Sequence, residues 1–149
     1  MGRLDYYPPD PRWRVAARIV PIPGAQVLPV ETTGGVADLY VGHAWAELTI
    51  AGATRRLLLL KSPGDSSNRL FLAFRDSTSG GETYGGGRYL DLYPQADDAV
   101  EIDFNLAYNP YCVYDAGYSC PLAPAENTLD VPVRAGEKAY RGAARGSPP

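Results

Sequence analysis

Period-two alternation, cut into short lengths by glycine and proline, limits this chain more than any other feature. Trp13, Val15, Ala17 and Ile19 alternate with Arg12, Arg14, Ala16 and Arg18, which gives an extended segment one apolar and one basic face. Pro21, Pro23 and Gly24 stop it. Gln26 to Glu31 predicts a second strand, and Val36 to Ile50 a long one bent near Gly42. Gly52 turns the chain into Thr54 to Ser62. A polar turn cluster over 63–68 leads to Leu70–Arg75 (LFLAFR), short, apolar and aromatic as a central strand should be. Arg88–Tyr93, Val100–Tyr108 and Thr128–Arg134 complete the series.

Helical periodicity is poor throughout; Asp97 to Ala107 matches a period of two far better than i, i+3, i+4. The expected fold is all-β: a single antiparallel β-barrel or β-sandwich with a long Pro/Tyr/Asn-rich closing loop. Residues 1–141 form the domain and 142–149 (GAARGSPP) a disordered tail.

At 149 residues the chain is long enough to bury a core without staples. A net charge of −3 with scattered arginines gives no electrostatic footprint for nucleic acid. No run approaches the roughly twenty apolar residues of a membrane-spanning helix. The N-terminus has no apolar leader region, and Tyr6 stands where a myristoylation signal needs Ser or Thr. The expectation is a cytoplasmic protein with no nucleic-acid or membrane partner and no cofactor.

Three stretches carry candidate chemistry. In Asp76–Arg88 (DSTSGGETYGGGR) the glycines allow positive φ and close backbone approach to a ligand. Successive amides there can form an anion-binding nest, with Arg88 supplying a fork of donors. The stretch lacks the Lys-Ser/Thr and the following helix of a phosphate-binding P-loop. Its interleaved Glu82, Thr83, Tyr84 and Arg88 are polar groups on a loop held by a scaffold; the competing reading is a hairpin excursion tied by its own side chains. In Val100–Tyr108, alternation puts Asp103 and Asn105 opposite Ile102 and Phe104, facing either water or a cavity.

The third stretch, Asp103 to Asn127 (DFNLAYNPYCVYDAGYSCPLAPAEN), holds the only two cysteines of the chain. With one distant imidazole, His43, they fall short of a four-ligand zinc site, and no metal is expected. Cys112 as a nucleophile needs a base, and His43 is the single candidate imidazole. A disulfide closing this loop would contribute about 2.5 kcal/mol in the chain-entropy model; two packed thiols are the alternative. Either way Cys112 and Cys120 read as structural. Pro110, Pro121 and Pro124 stiffen the loop, while Asn105, Asn109 and Asn127 can satisfy amides that no strand reaches. Tyr108, Tyr111, Tyr114 and Tyr118 can cover the core and keep a polar tip.

Asp5–Arg18, Phe74–Leu90 and Asp103–Lys138 together resemble three signature blocks of the uncharacterised bacterial and archaeal family catalogued as domain of unknown function sixteen-eighty-four. Typical members are longer and begin with a helical segment, so the chain resembles their C-terminal part. The resemblance implies no activity. It does imply that Asp76, Thr78, Ser79, Thr83, Tyr84, Arg88, Asp103, Asn105, Tyr108, Asn109, Cys112, Cys120, Pro121 and Asn127 stand on motif positions, and that His43 does not.

The leading expectation is a binding module for a small polar or anionic ligand, held where the Gly-rich loop meets the closing loop. Glu82, Thr83, Tyr84, Arg88, Asp103, Asn105, Tyr108 and Asn109 are the expected ligand-binding residues. One alternative is a hydrolase using Asp103 or Glu82 as general base or Cys112 as nucleophile. Another is a protein-interaction domain whose motifs are architectural.

Overall fold

A computed structural model describes residues 4–140, and the tail expected over 142–149 lies outside them. The alternating segments become β1 (Arg14–Pro21), β2 (Val27–Val30), β3 (Asp38–Ile50), β4 (Ala53–Lys61), β5 (Leu70–Phe74), β6 (Arg88–Leu92) and β7 (Ala99–Asp103). They form one seven-stranded sheet in the order β6-β5-β4-β3-β1-β7, with β2 paired to β3 off that path. The sheet is antiparallel and curls into a half-barrel, as an all-β chain of this pattern should. Ala51 and Gly52, at φ 51° and 75°, close the β3–β4 hairpin between the paired Ile50 and Ala53. The bend expected near Gly42 is a register shift between Gly42 and Ala44 that leaves His43 as the extra residue.

β4 shows why this sheet needs cover on both faces. Leu57, Leu58, Leu59 and Leu60 are all buried, and period two sends alternate members to opposite faces. Leu57 and Leu59 join Ile19, Leu72, Phe74, Leu90, Ile102 and Phe104 inside the half-barrel. Leu58 and Leu60 pack with Val30 on the outer face, beside Phe71 and Tyr40. Each leucine so buried contributes about 1.5–3 kcal/mol of transfer free energy. Further along the same outer face the sheet is wet, and charges pair across strands: Arg18 with Glu47 at 2.7 Å and Arg14 with Glu101 at 3.3 Å. The basic face of β1 is therefore matched by acids on its two neighbours.

The outer face of β4–β6 is covered by the closing segment, residues 104–127. Tyr108 exchanges backbone hydrogen bonds with Tyr89 on β6 (2.8 and 3.0 Å). Thr33 N–H donates to the Cys120 carbonyl (2.9 Å), and Leu122 N–H to that of Glu31 (2.7 Å). The loop thus lies as a lid against the sheet's outer side, where Cys112, Cys120 and Ala123 pack with Ala73 and Tyr89.

Two expected strands differ from what forms. The strand expected over Val100–Tyr108 stops at Asp103, whose carboxylate accepts from Asn105 N–H (3.0 Å) and turns Phe104–Leu106 into a 3-10 turn. The alternation flips there: Leu106 is 69% exposed and Ala107 buried. Thr128–Arg134 keeps its alternation, with Leu129 and Val133 buried, but runs beside the loop after β5. It gains a parallel bridge from Thr128 to Arg75 and scattered bonds such as Leu129 N–H to Arg75 O (2.8 Å). Pro132 has no amide to continue a ladder. No helix among the described residues is long and apolar enough to cross a membrane.

Candidate binding site

The Gly-rich loop folds on itself. Gly80 N–H donates to Thr83 O (2.9 Å), Gly81 and Thr83 N–H to Thr78 O (both 3.1 Å), and Gly87 N–H to Tyr84 O (3.2 Å). These four amides are spent within the loop itself. Gly87, at φ 105°, has Phe74 O only 2.7 Å from where a Cβ would stand, so glycine serves packing there. Thr83 is buried and shares a hydroxyl contact with Thr78 (2.9 Å), which bonds Asp76 in turn. Tyr84 is buried with its hydroxyl 3.9 Å from Cys112 Sγ, and burial raises its pKa.

Arg88 is 1% exposed. Its guanidinium donates to the carbonyls of Ala135, Glu137 (3.3 Å) and Val133 (3.0 Å), and meets Asp76 Oδ1 at 3.4 Å. Asp76 also accepts from Val133 N–H at 2.6 Å. The pair clamps residues 133–137 inside the half-barrel, on the face of β6 opposite Tyr89 and Asp91.

Glu82 lies at the surface and accepts from Tyr7 Oη (2.7 Å) and from two Arg134 nitrogens (both 3.1 Å). Hydrogen bonds from Arg134 and then Tyr7 lower its carboxyl to about 2. A base that weak suits proton abstraction at neutral pH poorly. Because the folded pKa lies below the unfolded one, the tie stabilises above about pH 4.5 and is lost as pH falls toward about 2. Glu82→Gln is therefore expected to lower the melting temperature slightly at pH 7 and not at all near pH 2. Melting curves of both proteins across that range measure the difference, and a gap that widens on acidification would contradict it.

Asp103 and Asn105 build a turn. Asn105 Nδ2 donates to Asp103 Oδ1 and to Asp10 O (both 2.9 Å), and its Oδ1 accepts from Asp10 N–H (2.9 Å). They fasten the segment before β1. Asn109 is 3% exposed; its N–H donates to Glu137 Oε1 (2.9 Å) and its Nδ2 to Lys138 O (3.0 Å).

Cys112 and Cys120 are free and buried, with Cys112 N–H donating to Cys120 Sγ at 3.2 Å. His43 lies at the exposed bulge of β3, whereas both thiols are buried against Ala73 and Tyr89. Burial first, then the Cys112 side chain, pushes the Cys120 thiol up to about 11. The thiolate is the reactive form, so alkylation of Cys120 is expected to be slow at neutral pH and still rising past about pH 8.5, the ordinary thiol value. Mass-spectrometric alkylation rates against pH test this; a plateau below that value would sink it.

The recess lies elsewhere, between the lid and the outer face of β4–β6. It has a volume of about 280 Å³ and is walled by Tyr40, Phe71, Tyr89, Tyr108 and Tyr111, with Cys120 and Pro121 from the lid. Lys61, Asp65, Arg69 and Asp91 stand around it. The rings brace one another: Tyr40 stacks on Phe71 (centroids 6.0 Å), Phe71 meets Tyr89 edge-on (4.7 Å), and Tyr89 meets Tyr108 (5.7 Å). Tyr89 Oη donates to Pro121 O, and Tyr108 Oη to Asp91 Oδ2 (2.9 Å). Burial raises the pKa of both tyrosines, so both hydroxyls stay neutral. Lys61 donates to the carbonyls of Asp65 (3.3 Å) and Ser67. Arg69 makes one long contact, 3.5 Å to Asp91 Oδ1, with 48% of its side chain exposed. Among the described residues no group of three or more His, Cys, Asp or Glu stands where it could hold a metal ion.

With this geometry in view, the profile of a family described as a protein of unknown function (DUF1684) matches residues 2–138, nearly the whole chain. The chain belongs to this family. Its fold is similar to the solution NMR structure of an uncharacterised protein of Haloarcula marismortui, at 38% identity and a TM-score of 0.76. The match covers 91% of this chain and 75% of that one. No curated protein matches the sequence.

Of the expected ligand-binding residues, only Tyr108 reaches the recess; Cys120, expected as structural, lines it too. Tyr111 was expected only to cover the core, and Tyr40, Lys61, Phe71, Tyr89 and Asp91 escaped the sequence reading. Their signal was present in LFLAFR and RYLDL, where Phe71, Tyr89 and Asp91 alternate with core residues. An aromatic and a carboxylate on the second face of a central strand point to a covered, partly polar surface.

Proposed function

We propose that the protein is a binding module for a small polar or anionic ligand, held in the recess between the lid and β4–β6. One observation carries this reading: an aromatic-walled concavity of about 280 Å³ whose rim bears an under-used guanidinium, Arg69. Mostly apolar walls with a few placed polar groups are the usual make-up of a small-molecule site. The volume sits at the small end of such sites, which range over roughly 300–1,000 Å³, and limits the ligand to a compact molecule. Further support comes from the rings' mutual bracing, which leaves little conformational entropy to lose on binding.

A ligand-observed NMR screen of small polar and anionic compounds tests the reading, with Ser62→Trp as a blocking variant. Ser62 is exposed on the recess rim, so its replacement fills space without touching the core. Hits are expected with the native chain and lost with Ser62→Trp at an unchanged melting temperature. Hits that persist in Ser62→Trp would place binding elsewhere and defeat the reading.

A further inference from the structure

Resting on that reading of the recess, we propose that its ligand class is the planar aromatic carboxylate, a flat ring carrying one anionic group. The charge preference follows from which rim groups still have capacity. Asp91 already accepts from both Tyr108 (2.9 Å) and Arg69 (3.5 Å), and Asp65 accepts from Ser67 N–H (2.8 Å). Lys61 is committed to backbone carbonyls of its own turn. Arg69 uses one donor of its fork, at the outer limit of a hydrogen bond, and its side chain is 48% exposed. A guanidinium presents five donors in a plane that matches a carboxylate's two oxygens.

A second donor stands near it. Tyr40 lines the same recess as Arg69, and among the described residues its hydroxyl has no protein hydrogen-bond partner. Tyr40 and Arg69 can therefore meet one carboxylate from two directions. A cation would find the reverse: Lys61 and Arg69 oppose its approach, and Asp91 already accepts from Tyr108 and Arg69.

The shape preference follows from the walls. The Tyr89 and Tyr108 hydroxyls are spent on Pro121 and Asp91, so these residues offer the ligand ring edges and faces rather than hydrogen bonds. Phe71 offers nothing else. Its contact to Tyr89 is T-shaped, at 72°, and that of Tyr89 to Tyr108 at 86°. Successive rings set nearly at right angles give an entering flat ring both an edge-to-face and an offset-stacked partner. A puckered aliphatic ring of the same volume gains the burial without the quadrupole term.

The test is an NMR titration of the whole chain with benzoate, benzamide, cyclohexanecarboxylate and benzyltrimethylammonium, following tyrosine and phenylalanine ring resonances. Benzoate is expected to shift the recess resonances and to bind about tenfold tighter than benzamide or cyclohexanecarboxylate. Arg69→Ala should weaken benzoate by about tenfold and leave benzamide unchanged; Arg69 is surface-exposed, so the fold is retained. Equal affinity for benzoate and benzamide, or tighter binding of benzyltrimethylammonium, overturns the anionic class while the recess stands as a ligand site. Equal affinity for cyclohexanecarboxylate overturns the planar class in the same way. No recess shift with any of the four overturns both the class and the site.

Discussion

Arg88→Ala is expected to cost about 3–5 kcal/mol of stability, the range for breaking a buried ion pair from one side. In a domain of this size that lowers the melting temperature by roughly 10 °C or more. The cause is what stays behind. Asp76, with a side chain 0% exposed, keeps its short bond from Val133 N–H but loses its guanidinium partner. The carbonyls of Val133, Ala135 and Glu137 lose their donors at the same time. The ring of Phe74, 5.1 Å from the guanidinium carbon, loses a cation over its face. Arg88→Lys is expected to recover only part of the loss, since one ammonium cannot span carbonyls on three residues and a carboxylate together. Affinity of the folded protein for a recess ligand should be unchanged, because Arg88 points into the half-barrel while Tyr89 and Asp91 face the lid. Urea unfolding and ligand titration of both variants check this, and a near-native midpoint for Arg88→Ala would refute it.

That expectation reverses what the sequence alone suggests for Arg88, and the reason is physical. A glycine-rich loop with interleaved polar residues reads as site material because exposed polar groups on loops are usually free to act. Here Asp76, Thr78, Thr83 and Arg88 are buried, with the loop packed along residues 131–137, and buried backbone must find partners. Asp76, Thr78, Thr83 and Arg88 supply them. The strands were legible because alternation records burial directly, and every expected segment other than Val100–Tyr108 and Thr128–Arg134 formed within a few residues of its expected bounds. Alternation does not record pairing, however. Thr128–Arg134 buries the right residues yet has a loop beside it, and Val100–Tyr108 ends early because the Asp103 carboxylate captures the Asn105 amide. The recess was hardest to see. It is assembled from β3, β4, β5, β6 and the lid, residues that share no local pattern and meet only because the outer face of β4–β6 is covered. Tyr108 was found because it lies in the unusual stretch that makes the lid; Tyr40 and Arg69 stand outside any such stretch.

Asn127→Ala is expected to destabilise the fold by about 3–5 kcal/mol, for a reason different from that of Arg88. β4 and β5 share a single register pair, Leu60 with Phe71. Beyond it the strands part, and the Asn127 carboxamide fills the gap as a substitute for strand backbone. Its Oδ1 accepts from Leu58 N–H (2.6 Å), and its Nδ2 donates to Leu58 O and Ala73 O (both 2.9 Å). Asn127 is 0% exposed, so water does not reach these groups in the native state. Truncation orphans one amide and two carbonyls, each worth about 1–3 kcal/mol when buried without a partner, with some relief as water enters the cavity. Asn127→Asp is close to isosteric and separates geometry from chemistry. Its carboxylate can still accept from Leu58 N–H but, when ionised, opposes the two carbonyls that the amide satisfied. It is expected to be at least as destabilising as Asn127→Ala at neutral pH and to recover stability in acid, where the protonated carboxyl donates once. Equilibrium unfolding gives the magnitudes, and hydrogen exchange of the Leu58 amide gives the location. That amide should lose protection in Asn127→Ala well before those of the β3–β4 hairpin. Unchanged Leu58 protection together with an unchanged unfolding midpoint would show that β4 and β5 hold without the carboxamide. Asn127 itself would then be held against β5 by the backbone bond between Arg75 N–H and Asn127 O (3.0 Å).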